Sequence, residues 1–339
     1  MTLNYLITGG AGFIGSNYVH RLLARGENVT VYDNLSRTQR NIEWLKQEFG
    51  ENAFRLVVGD VRDADRIAES ARGADVIVHL AGQVAVTTSV LNPRDDFESN
   101  ALGTFNVLEA ARASGRNPIF IYASTNKVYG GMEEVELFEE PTRWRYKDLV
   151  NGCPETQPLD FHSPYGCSKG TGDQYVRDYA RMYGLRSVVF RQSCIYGTRQ
   201  FGVEDQGWVA WFIIAAVMGK PITIYGDGKQ VRDILFVDDL LNAYDLAVEK
   251  NNIAKGQVYN LGGGPQNVMS IWAEFQPKLE KLLDKSLQVA RGDWRPGDQR
   301  VFYADISKAE KELSWKPKIN VEAGVQKLFD WVKENQGLF

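Results

Sequence analysis

The sequence predicts an α/β protein whose core is a doubly wound parallel sheet covered by helices on both faces. In the first half of the chain, short apolar runs rich in β-branched residues alternate with segments of helical periodicity. Strands that are apolar throughout and are separated by helices are typical of such a sheet. The predicted strands are residues 3–8, 29–32, 56–58, 76–80 and 119–123, and the predicted helices are residues 13–23, 42–49 and 95–114.

The alternation ends after Tyr129, where a different kind of segment begins. Residues 130–162 are polar and contain three prolines, so we expect a long irregular loop. Pro164 then predicts the start of a helix that reaches about residue 183, because proline is favoured in a first helical turn. A strand is expected at residues 187–190.

The last part of the chain predicts a second, smaller lobe. Beyond about residue 197 the elements are short, and glycine-rich turns such as residues 226–228 and 262–264 are frequent. No linker separates the two parts, so we expect interleaved lobes. Residues 1–190 should form mainly the first lobe and residues 191–339 mainly the second.

Length and composition restrict the class of protein. The chain has 339 residues, a length typical of about two domains, and 44% of them are hydrophobic. A net charge of −4 argues against a nucleic-acid partner. The apolar run at residues 208–218 is shorter than the ~20 residues that cross a bilayer, so no membrane partner is expected. Three scattered cysteines and three histidines without ligand spacing favour reduced thiols in the cytoplasm and no metal site.

A glycine-rich turn lies between the first predicted strand and the first helix. Gly9, Gly12 and Gly15 provide a tight turn, close approach of the backbone to a pyrophosphate, and close packing of helix on strand. The N-terminus of the following helix, at Phe13 and Ile14, offers free N–H groups to phosphates. Together these features predict a Rossmann-type dinucleotide site.

Acidic residues at the ends of the next two strands favour NAD over NADP. Asp33 ends the second strand, where a carboxylate accepts hydrogen bonds from the adenosine ribose and repels a 2′-phosphate. Arg37 is close by and argues the other way, because it could pair with a phosphate. Asp60 and Val61 end the third strand and could border the adenine ring, although Asp60 would equally well cap the following helix.

The catalytic candidates are Tyr165 and Lys169, four residues apart on one face of the predicted helix. Tyrosine is a poor base at neutral pH, but a nearby lysine and a positive nicotinamide ring would both favour tyrosinate. Ser124 and Thr125 follow the fifth strand, at the edge of the sheet where α/β proteins bind ligands. Thr125 would hydrogen-bond the same substrate oxygen as Tyr165.

These motifs, together with residues 33–36, 79–81, 128–130 and 226–233, resemble the extended short-chain dehydrogenase/reductase family of NAD-dependent nucleotide-sugar enzymes. The resemblance spans essentially the whole chain. It implies a tightly bound NAD, a nucleotide-sugar substrate and a homo-oligomer, a dimer or a tetramer. The cofactor contacts that it implies besides those above are Asn34, Ser36, Leu80, Ala81, Gln83, Asn100, Ser124, Tyr165 and Lys169.

Longer strings resemble a branch of this family that inverts carbon 2 of CDP-linked sugars. They are residues 81–89, 124–130, 159–170, 205–209, 228–233 and 298–302. Arg232 and Arg295 are assigned by this resemblance to the nucleotide diphosphate, which suits bidentate guanidinium groups. The other expected substrate contacts are Thr88, Thr125, Asn126, Tyr165, Ser193, Arg199, Gln206, Tyr225 and Asp298.

The residues beside Thr125 argue against one reaction of the family. A sugar 4,6-dehydratase needs an acid and a base next to this threonine, whereas this chain has Asn126 and Lys127. An amide cannot act as the acid, and a charged ammonium cannot accept the proton. Two reactions without elimination therefore remain. They are epimerisation, in which a hydroxyl is oxidised and the hydride is returned, and net dehydrogenation, in which the hydride stays on the cofactor. The alternatives are a hexose 4-epimerase acting on a UDP-sugar, a 2-epimerase acting on another nucleotide sugar, and a non-catalytic NAD-binding regulator.

Overall fold

A seven-stranded sheet is the centre of the first of two structural units in the computed structural model, which describes residues 2–295 and 298–339. Its first half follows the expected alternation of strands and helices. The elements are β1 (Asn4–Thr8), α1 (Phe13–Ala24), β2 (Asn28–Asp33), α2 (Arg40–Phe49), β3 (Arg55–Val58), α3 (Ala64–Ala71), β4 (Val76–His79), α4 (Val86–Leu91), α5 (Pro93–Phe97), a π-helical turn (Glu98–Leu102), α6 (Gly103–Ala113), β5 (Ile119–Thr125) and a 3-10 turn (Asn126–Tyr129).

The second half contains one long helix and many short elements. They are β6 (Leu137–Glu139), β7 (Trp144–Tyr146), α7 (Ser163–Tyr183), β8 (Arg186–Gln192), β9 (Cys194–Tyr196), α8 (Trp208–Met218), β10 (Thr223–Tyr225), β11 (Val231–Phe236), α9 (Val237–Glu249), α10 (Asn251–Ala254), β12 (Val258–Leu261), β13 (Val268–Ser270), α11 (Phe275–Leu283), β14 (Ala290–Gly292), β15 (Val301–Phe302), α12 (Ser307–Leu313), α13 (Val321–Glu334) and a 3-10 turn (Gln336–Leu338).

The chain passes between the two units several times. The first unit consists of the residues up to Val128 together with Ser163–Arg191 and Leu241–Tyr259. The second unit consists of the remaining segments, Tyr129–His162, Gln192–Leu240 and Asn260–Phe339. The roles expected of the two lobes remain predictions.

The sheet of the first unit has the strand order β3-β2-β1-β4-β5-β8-β12, which confirms the predicted Rossmann-type fold. β1 pairs in parallel with β2 on one side and with β4 on the other. The apolar side chains of these strands are fully buried, for example Ile7 of β1, Val31 of β2 and Ile77 of β4. The strand order reverses between β1 and β4, and α/β proteins bind ligands at the carboxyl ends of strands at such a point.

The structure differs from the sequence prediction in three places. The helix expected at residues 95–114 starts earlier and contains the π-helical turn Glu98–Leu102, which shifts the register of the residues after it. The expected irregular loop at residues 130–162 contains an antiparallel hairpin of β6 and β7. One short helix, α4, was not predicted.

The second unit has a small sheet and an aromatic core of its own. β11 pairs with β13, β15 and β9, and β10 pairs with β14. The rings of Phe212 and Trp272 are 5.2 Å apart, and those of Trp208 and Phe275 are 5.4 Å apart. Trp208 and Phe212 of α8 therefore contribute to the aromatic core of this unit.

Candidate active site

The glycine turn of the first unit leaves no space for side chains where its segments meet. A Cβ added to Gly9, whose φ is +72°, would lie 2.6 Å from the backbone nitrogen of Ala81. A Cβ added to Gly15 would lie 2.3 Å from the carbonyl oxygen of Gly9. Both contacts are with backbone, which cannot move aside. Glycine is therefore required where β1, β4 and α1 come together.

The N-terminus of α1 is suited to bind an anion. Gly12 is the N-cap residue, and no side chain caps the first turn at Phe13. A Cβ on Gly12 would meet only the carbonyl oxygen of Gly9, at 3.2 Å, so this side of the turn is open. The exposed N–H groups and the helix dipole favour a phosphate at this position.

A buried acceptor in the same unit also fits a dinucleotide. Oδ1 of Asn100 is buried and accepts no hydrogen bond from the part of the chain that the structure describes. Its amide Nδ2 is engaged, since it donates to the carbonyl oxygen of Gln83 and to the side chains of Asp96 and Ser168. Buried acceptors are rarely left unsatisfied, so a bound ligand is the expected donor.

Asp33 lies at the end of β2 as predicted. Its Oδ2 accepts from the backbone N–H of Ala11 at 3.0 Å, and its Oδ1 accepts from that of Leu35 at 2.8 Å. Each carboxylate oxygen has further acceptor capacity, which leaves room for ribose hydroxyls. Asn34 donates to Asp60 from the neighbouring strand end, at 3.1 Å. The structure therefore brings the residues predicted to hold the adenosine end together.

The alternative role considered for Asp60, that of capping the helix that follows it, is wrong. Asp63, not Asp60, is the N-cap of α3, because its side chain accepts from the backbone N–H of Arg66. Asp60 instead forms an ion pair with Arg62 at 2.7 Å. Hydrogen bonds from Arg62 lower the pKa of Asp60 to about 2, so it carries a negative charge at neutral pH.

The side chains of Tyr165 and Thr125 meet in the first unit. Tyr165 lies in the first turn of α7, where its backbone N–H donates to Oγ of Ser89 at 3.2 Å. The hydroxyl of Thr125 lies near the phenol of Tyr165 and acts to lower its pKa. Both residues are buried, at 9% and 7% exposure. A substrate hydroxyl that reached this pair would meet two hydroxyl groups positioned to exchange a proton.

Lys169 lies one turn further along α7 and is also buried. Its Nζ is 4.3 Å from the centre of the Tyr122 ring, a cation–π contact. Burial lowers the pKa of Lys169 to about 8, and the nearby carboxylates Asp96 and Asp173 oppose that shift. At neutral pH the lysine therefore remains mostly charged.

The ionisation expected of Tyr165 is not reached in the protein alone. Burial raises its pKa to about 12, although the hydrogen bond from Thr125 acts in the opposite direction. Desolvation therefore outweighs the stabilisation of tyrosinate that we expected from Lys169. The positive nicotinamide ring is the remaining contribution that would favour the tyrosinate form.

Several other predicted residues of the first unit have identified contacts. Ser124 donates to Asp173 at 2.8 Å, and the side chain of Gln83 both accepts from and donates to the backbone of Ala85. Asn126 is buried beside Thr125, whose hydroxyl donates to it at 3.4 Å. Thr88 is exposed on α4. The first unit also contains the remaining predicted cofactor residues, Ile14, Ser36, Arg37, Val61 and Leu80.

The two arginines predicted to bind a diphosphate lie in the second unit. Arg232 is 5% exposed and pairs with Asp298 at 2.5 Å. Arg295 pairs with Asp205 at 2.9 Å and stacks 4.0 Å above the ring of Tyr225. Each guanidinium is held by a carboxylate, so its position is fixed and an anionic ligand would compete with that carboxylate.

The other predicted residues of this unit differ in how they are engaged. The hydroxyl of Ser193 donates a hydrogen bond to the buried carboxylate of Asp233. This hydroxyl hydrogen is therefore already used in a contact within the unit. Arg199 has a left-handed backbone, with φ of +66°, and its guanidinium lies 5.7 Å from the centre of the Trp331 ring. The backbone of Gln206 forms an isolated antiparallel β-bridge with that of Val203. Their contact with a substrate stays a prediction.

Comparison with known proteins identifies the family. A family model described as GDP-mannose 4,6 dehydratase matches residues 6–328. The CDP-paratose 2-epimerase of Salmonella typhi is 45% identical over 338 residues, which cover 97% of this chain and 99% of that protein. The chain belongs to this family, the extended short-chain dehydrogenase/reductases.

Solved structures of the family have the same fold. The dTDP-glucose 4,6-dehydratase DesIV from Streptomyces venezuelae, with NAD bound, has a TM-score of 0.85 and 29% identity, with 99% of each chain covered. The UDP-glucose 4-epimerase of Thermotoga maritima, with UDP-glucose, has a TM-score of 0.83 and 30% identity, covering 98% of this chain and all of that one. The chain is an enzyme of the extended short-chain dehydrogenase/reductase family, and its cofactor is NAD.

Some buried groups of this family member were missed by the sequence reasoning. Asp173 forms a bidentate ion pair with Arg191, at 2.9 and 3.0 Å. Its spacing of four residues from Lys169 is a signal that could have revealed it. Asp96 and Ser168 are hydrogen-bonded to each other beside the Tyr165–Lys169 turn, and no motif pointed to Asp96.

Metal chemistry and membrane insertion find no support among residues 2–295 and 298–339. Within these ranges, no cluster of three or more His, Cys, Asp or Glu side chains is arranged to hold a metal ion. The same ranges contain no helix of the length and apolarity needed to cross a bilayer. Within the same ranges, Cys153, Cys167 and Cys194 form no disulfide bond.

Proposed function

We propose that the protein is an NAD-dependent epimerase that inverts carbon 2 of CDP-paratose and gives CDP-tyvelose. The observation that carries the proposal is the 45% identity with a CDP-paratose 2-epimerase over almost the full length of both chains. The buried hydroxyl groups of Tyr165 and Thr125, with Lys169 one turn away from Tyr165, supply the groups that such a reaction needs.

The proton steps are assigned to Tyr165 and Thr125. Tyr165, as tyrosinate, takes the proton of the carbon-2 hydroxyl and later returns it to the inverted oxygen. Thr125 hydrogen-bonds the same oxygen throughout, and the charge of Lys169 favours the tyrosinate form. NAD, when bound, supplies the capacity to accept a hydride from the sugar carbon and to give it back. The intermediate is a 2-keto sugar that presents its other face before reduction, so configuration inverts without net oxidation.

Residues Asn126 and Lys127 support epimerisation over elimination. Elimination of the carbon-6 hydroxyl needs an acid and a base next to Thr125. Asn126 is buried at that position, and its amide cannot act as the acid. Its neighbour Lys127 cannot act as the base, because a charged ammonium group cannot accept a proton. The chain therefore lacks the pair that a sugar 4,6-dehydratase uses, although its fold is shared with such enzymes.

The nucleotide diphosphate is assigned to the second unit. Arg232 and Arg295 present guanidinium groups that Asp298 and Asp205 already hold in place. A diphosphate would replace carboxylate oxygens with phosphate oxygens, at little cost in side-chain order. Tyr225, which is stacked beneath Arg295, limits the movement of that guanidinium.

Product analysis tests the proposal. The purified protein, with no added cofactor, is incubated with CDP-paratose or with UDP-glucose, and the sugars are resolved by chromatography and NMR. CDP-tyvelose from the first substrate alone is the expected result. UDP-galactose from the second would favour the UDP-hexose 4-epimerase alternative, and inversion of another CDP-linked or UDP-linked sugar would identify a different 2-epimerase. No product from any nucleotide sugar, with NAD still bound, would favour a non-catalytic regulator.

We also propose a homodimer or homotetramer with tightly bound NAD. Large apolar side chains are exposed on the helical segments of residues 90–105 and on α7, and exposed apolar groups in such number are typical of a protein interface. They are Val90, Leu91, Phe97, Leu102, Phe105, Tyr175, Met182 and Tyr183.

A cytoplasmic location and a role in lipopolysaccharide O-antigen biosynthesis complete the proposal. The location is supported by three cysteines that form no disulfide in the described part of the chain, since reduced cysteines are usual in that compartment. The pathway is supported only by the resemblance to the CDP-paratose 2-epimerase.

A further inference from the structure

A buried carboxylate lies beside the catalytic turn and has no part in the reaction as described above. Asp96, on α5, is 1% exposed. Its Oδ2 accepts from Oγ of Ser168 at 2.6 Å, and its Oδ1 accepts from Nδ2 of Asn100 at 3.1 Å. Nδ2 of Asn100 also donates to Oγ of Ser168, at 3.1 Å. The three side chains therefore form a closed hydrogen-bonded triangle.

The triangle is connected to both catalytic groups of α7. Ser168 directly precedes Lys169 in the chain, and its hydroxyl is also 3.2 Å from the carbonyl oxygen of Tyr165. A charged carboxylate is costly to bury, and it is retained only where hydrogen bonds or an opposite charge compensate. Burial raises the pKa of Asp96, whereas the hydrogen bond from Ser168 and the charge of Lys169 act in the opposite direction and favour the carboxylate.

The charges around this triangle come from four elements. Asp95 of α5 is exposed and pairs with Arg62 at 3.0 Å. Asp173 of α7 forms a bidentate pair with Arg191 and also acts to raise the pKa of Lys169. The pKa of the buried His79 is lowered to about 3, so this residue is neutral. The titratable groups facing the triangle and Lys169 are Asp95 of α5, Tyr165, Lys169 and Asp173 of α7, Tyr122 of β5 and His79 of β4.

We propose that Asp96 is a positioning residue of this enzyme, which supplies the counter-charge that keeps Lys169 protonated and, through Ser168, fixes the Tyr165–Lys169 turn. The kinetic part of this inference rests on the proposed function, whereas the electrostatic part does not. Asp96 touches neither substrate nor cofactor in this role; it acts through the two groups of α7.

The sign of the effect follows from the charge. The carboxylate of Asp96 raises the pKa of Lys169 and also that of Tyr165. Removing the charge should lower both, by about 1 unit for a neighbouring buried charge. In the NAD-loaded enzyme, where the nicotinamide charge favours tyrosinate, Tyr165 should set the acidic limb of the pH–rate profile and Lys169 the alkaline limb. The whole profile of Asp96→Asn should therefore move to lower pH.

Kinetics of Asp96→Asn give the first test, with kcat/KM for the nucleotide sugar measured from pH 5 to 10. Both limbs should move to lower pH by about 1 unit. Ser168→Ala breaks the triangle without removing the charge, so it should lower kcat and leave the limbs in place. Asp95→Asn removes the exposed neighbouring acid and should match the unchanged protein. Asp96→Glu restores the charge and should bring the limbs back.

A titration of the purified protein, with its NAD bound and no substrate added, gives a second readout that does not depend on turnover. The Cε chemical shift of Lys169 is followed by NMR in lysine-labelled protein and assigned with Lys169→Arg. The midpoint, expected at about 8, should fall in Asp96→Asn, and Asp96→Ser serves as the charge-free variant if the first does not fold. An unchanged midpoint overturns the inference, as does a uniform loss of rate with unmoved limbs. A lowered midpoint in a protein inactive on CDP-paratose would support the inference and count against the proposed function alone.

Discussion

At the scale of single residues, the reaction depends on a buried phenol that is not acidic by itself. Burial raises the pKa of Tyr165 to about 12, and the hydrogen bond with Thr125 lowers it only in part. Lys169 is charged at neutral pH but partly desolvated. The phenol of Tyr165 is therefore expected to ionise only in the loaded enzyme, which would limit proton abstraction to the time when a hydride acceptor is present.

Tyr165→Phe tests the role of the phenol directly. The variant lacks the proton acceptor but keeps the ring, so turnover should fall by about 10²- to 10⁴-fold. NAD should stay bound, and its content can be measured after denaturing the purified protein. Tyr179→Phe is the matched control, because Tyr179 lies on the same helix and donates to Glu109 at 2.6 Å. Turnover of Tyr165→Phe close to that of this control would contradict the mechanism.

At the scale of elements, the glycine turn, β1 and α1 form a unit that the sequence makes predictable. Turn chemistry is local, so Gly9 and Gly15 could be identified without knowledge of the rest of the fold. The i to i+4 spacing of Tyr165 and Lys169 is local in the same way. Asp96 could not be found like this, because Ser168, which connects it to the catalytic turn, lies 72 residues away in the chain. The β6–β7 hairpin was missed because its strands are short and surrounded by polar residues.

Gly15→Ala should disable the cofactor turn. The added Cβ would lie 2.3 Å from the carbonyl oxygen of Gly9 and 2.7 Å from the Cα of Gly10, so the backbone must shift. The purified variant should contain little NAD and melt at a lower temperature. Gly337→Ala is the control, since no atom lies within 4 Å of its added Cβ. A Gly15→Ala protein that retains full NAD content would show that the turn does not touch the cofactor.

His79 connects three elements and predicts a pH dependence of stability. Its Nδ1 is 2.7 Å from Oγ1 of Thr8 on β1, and its Nε2 is 3.0 Å from Oγ1 of Thr104 on α6. Burial lowers its pKa from 6.5 to about 3. The unfolded chain therefore binds a proton that the folded chain does not, and stability should fall as pH decreases through this window.

Urea denaturation of the wild-type protein and of His79→Gln measures this effect. The free energy of unfolding of the wild type should lose up to about 1.4 kcal/mol per pH unit more than that of the variant between pH 6 and pH 4. The variant provides its own reference for the carboxylates that also titrate there. Equal slopes for the two proteins would show that His79 does not resist protonation.

At the scale of the whole molecule, the predicted functions are divided between the two units. Every residue assigned to NAD and to the proton steps belongs to the first unit, whereas Arg232 and Arg295 belong to the second. Sequence alone predicted both sets, but it could not show that each arginine already holds a carboxylate. Such pairs join residues that are far apart in the chain, so no local pattern reveals them.

The exposed apolar side chains predict the oligomeric state. Phe105 and Tyr175 are in contact, with ring centres 5.9 Å apart, and both are exposed in the single chain. Phe105→Glu with Tyr175→Glu should convert a dimer or tetramer into smaller species by light scattering coupled to gel filtration. Ile253→Glu changes an exposed apolar side chain outside these helices and should leave the mass unchanged. An unaltered mass in the double variant would place the interface elsewhere.

The most direct test of the central claim is the fate of the hydrogen at the inverted carbon. The enzyme is incubated with CDP-paratose in heavy water without added cofactor, and deuterium at carbon 2 of the product is measured by NMR and mass spectrometry. Oxidation followed by return of the same hydride predicts CDP-tyvelose with no deuterium at carbon 2. Deuterium at that carbon would show inversion by proton exchange with solvent and would contradict the account.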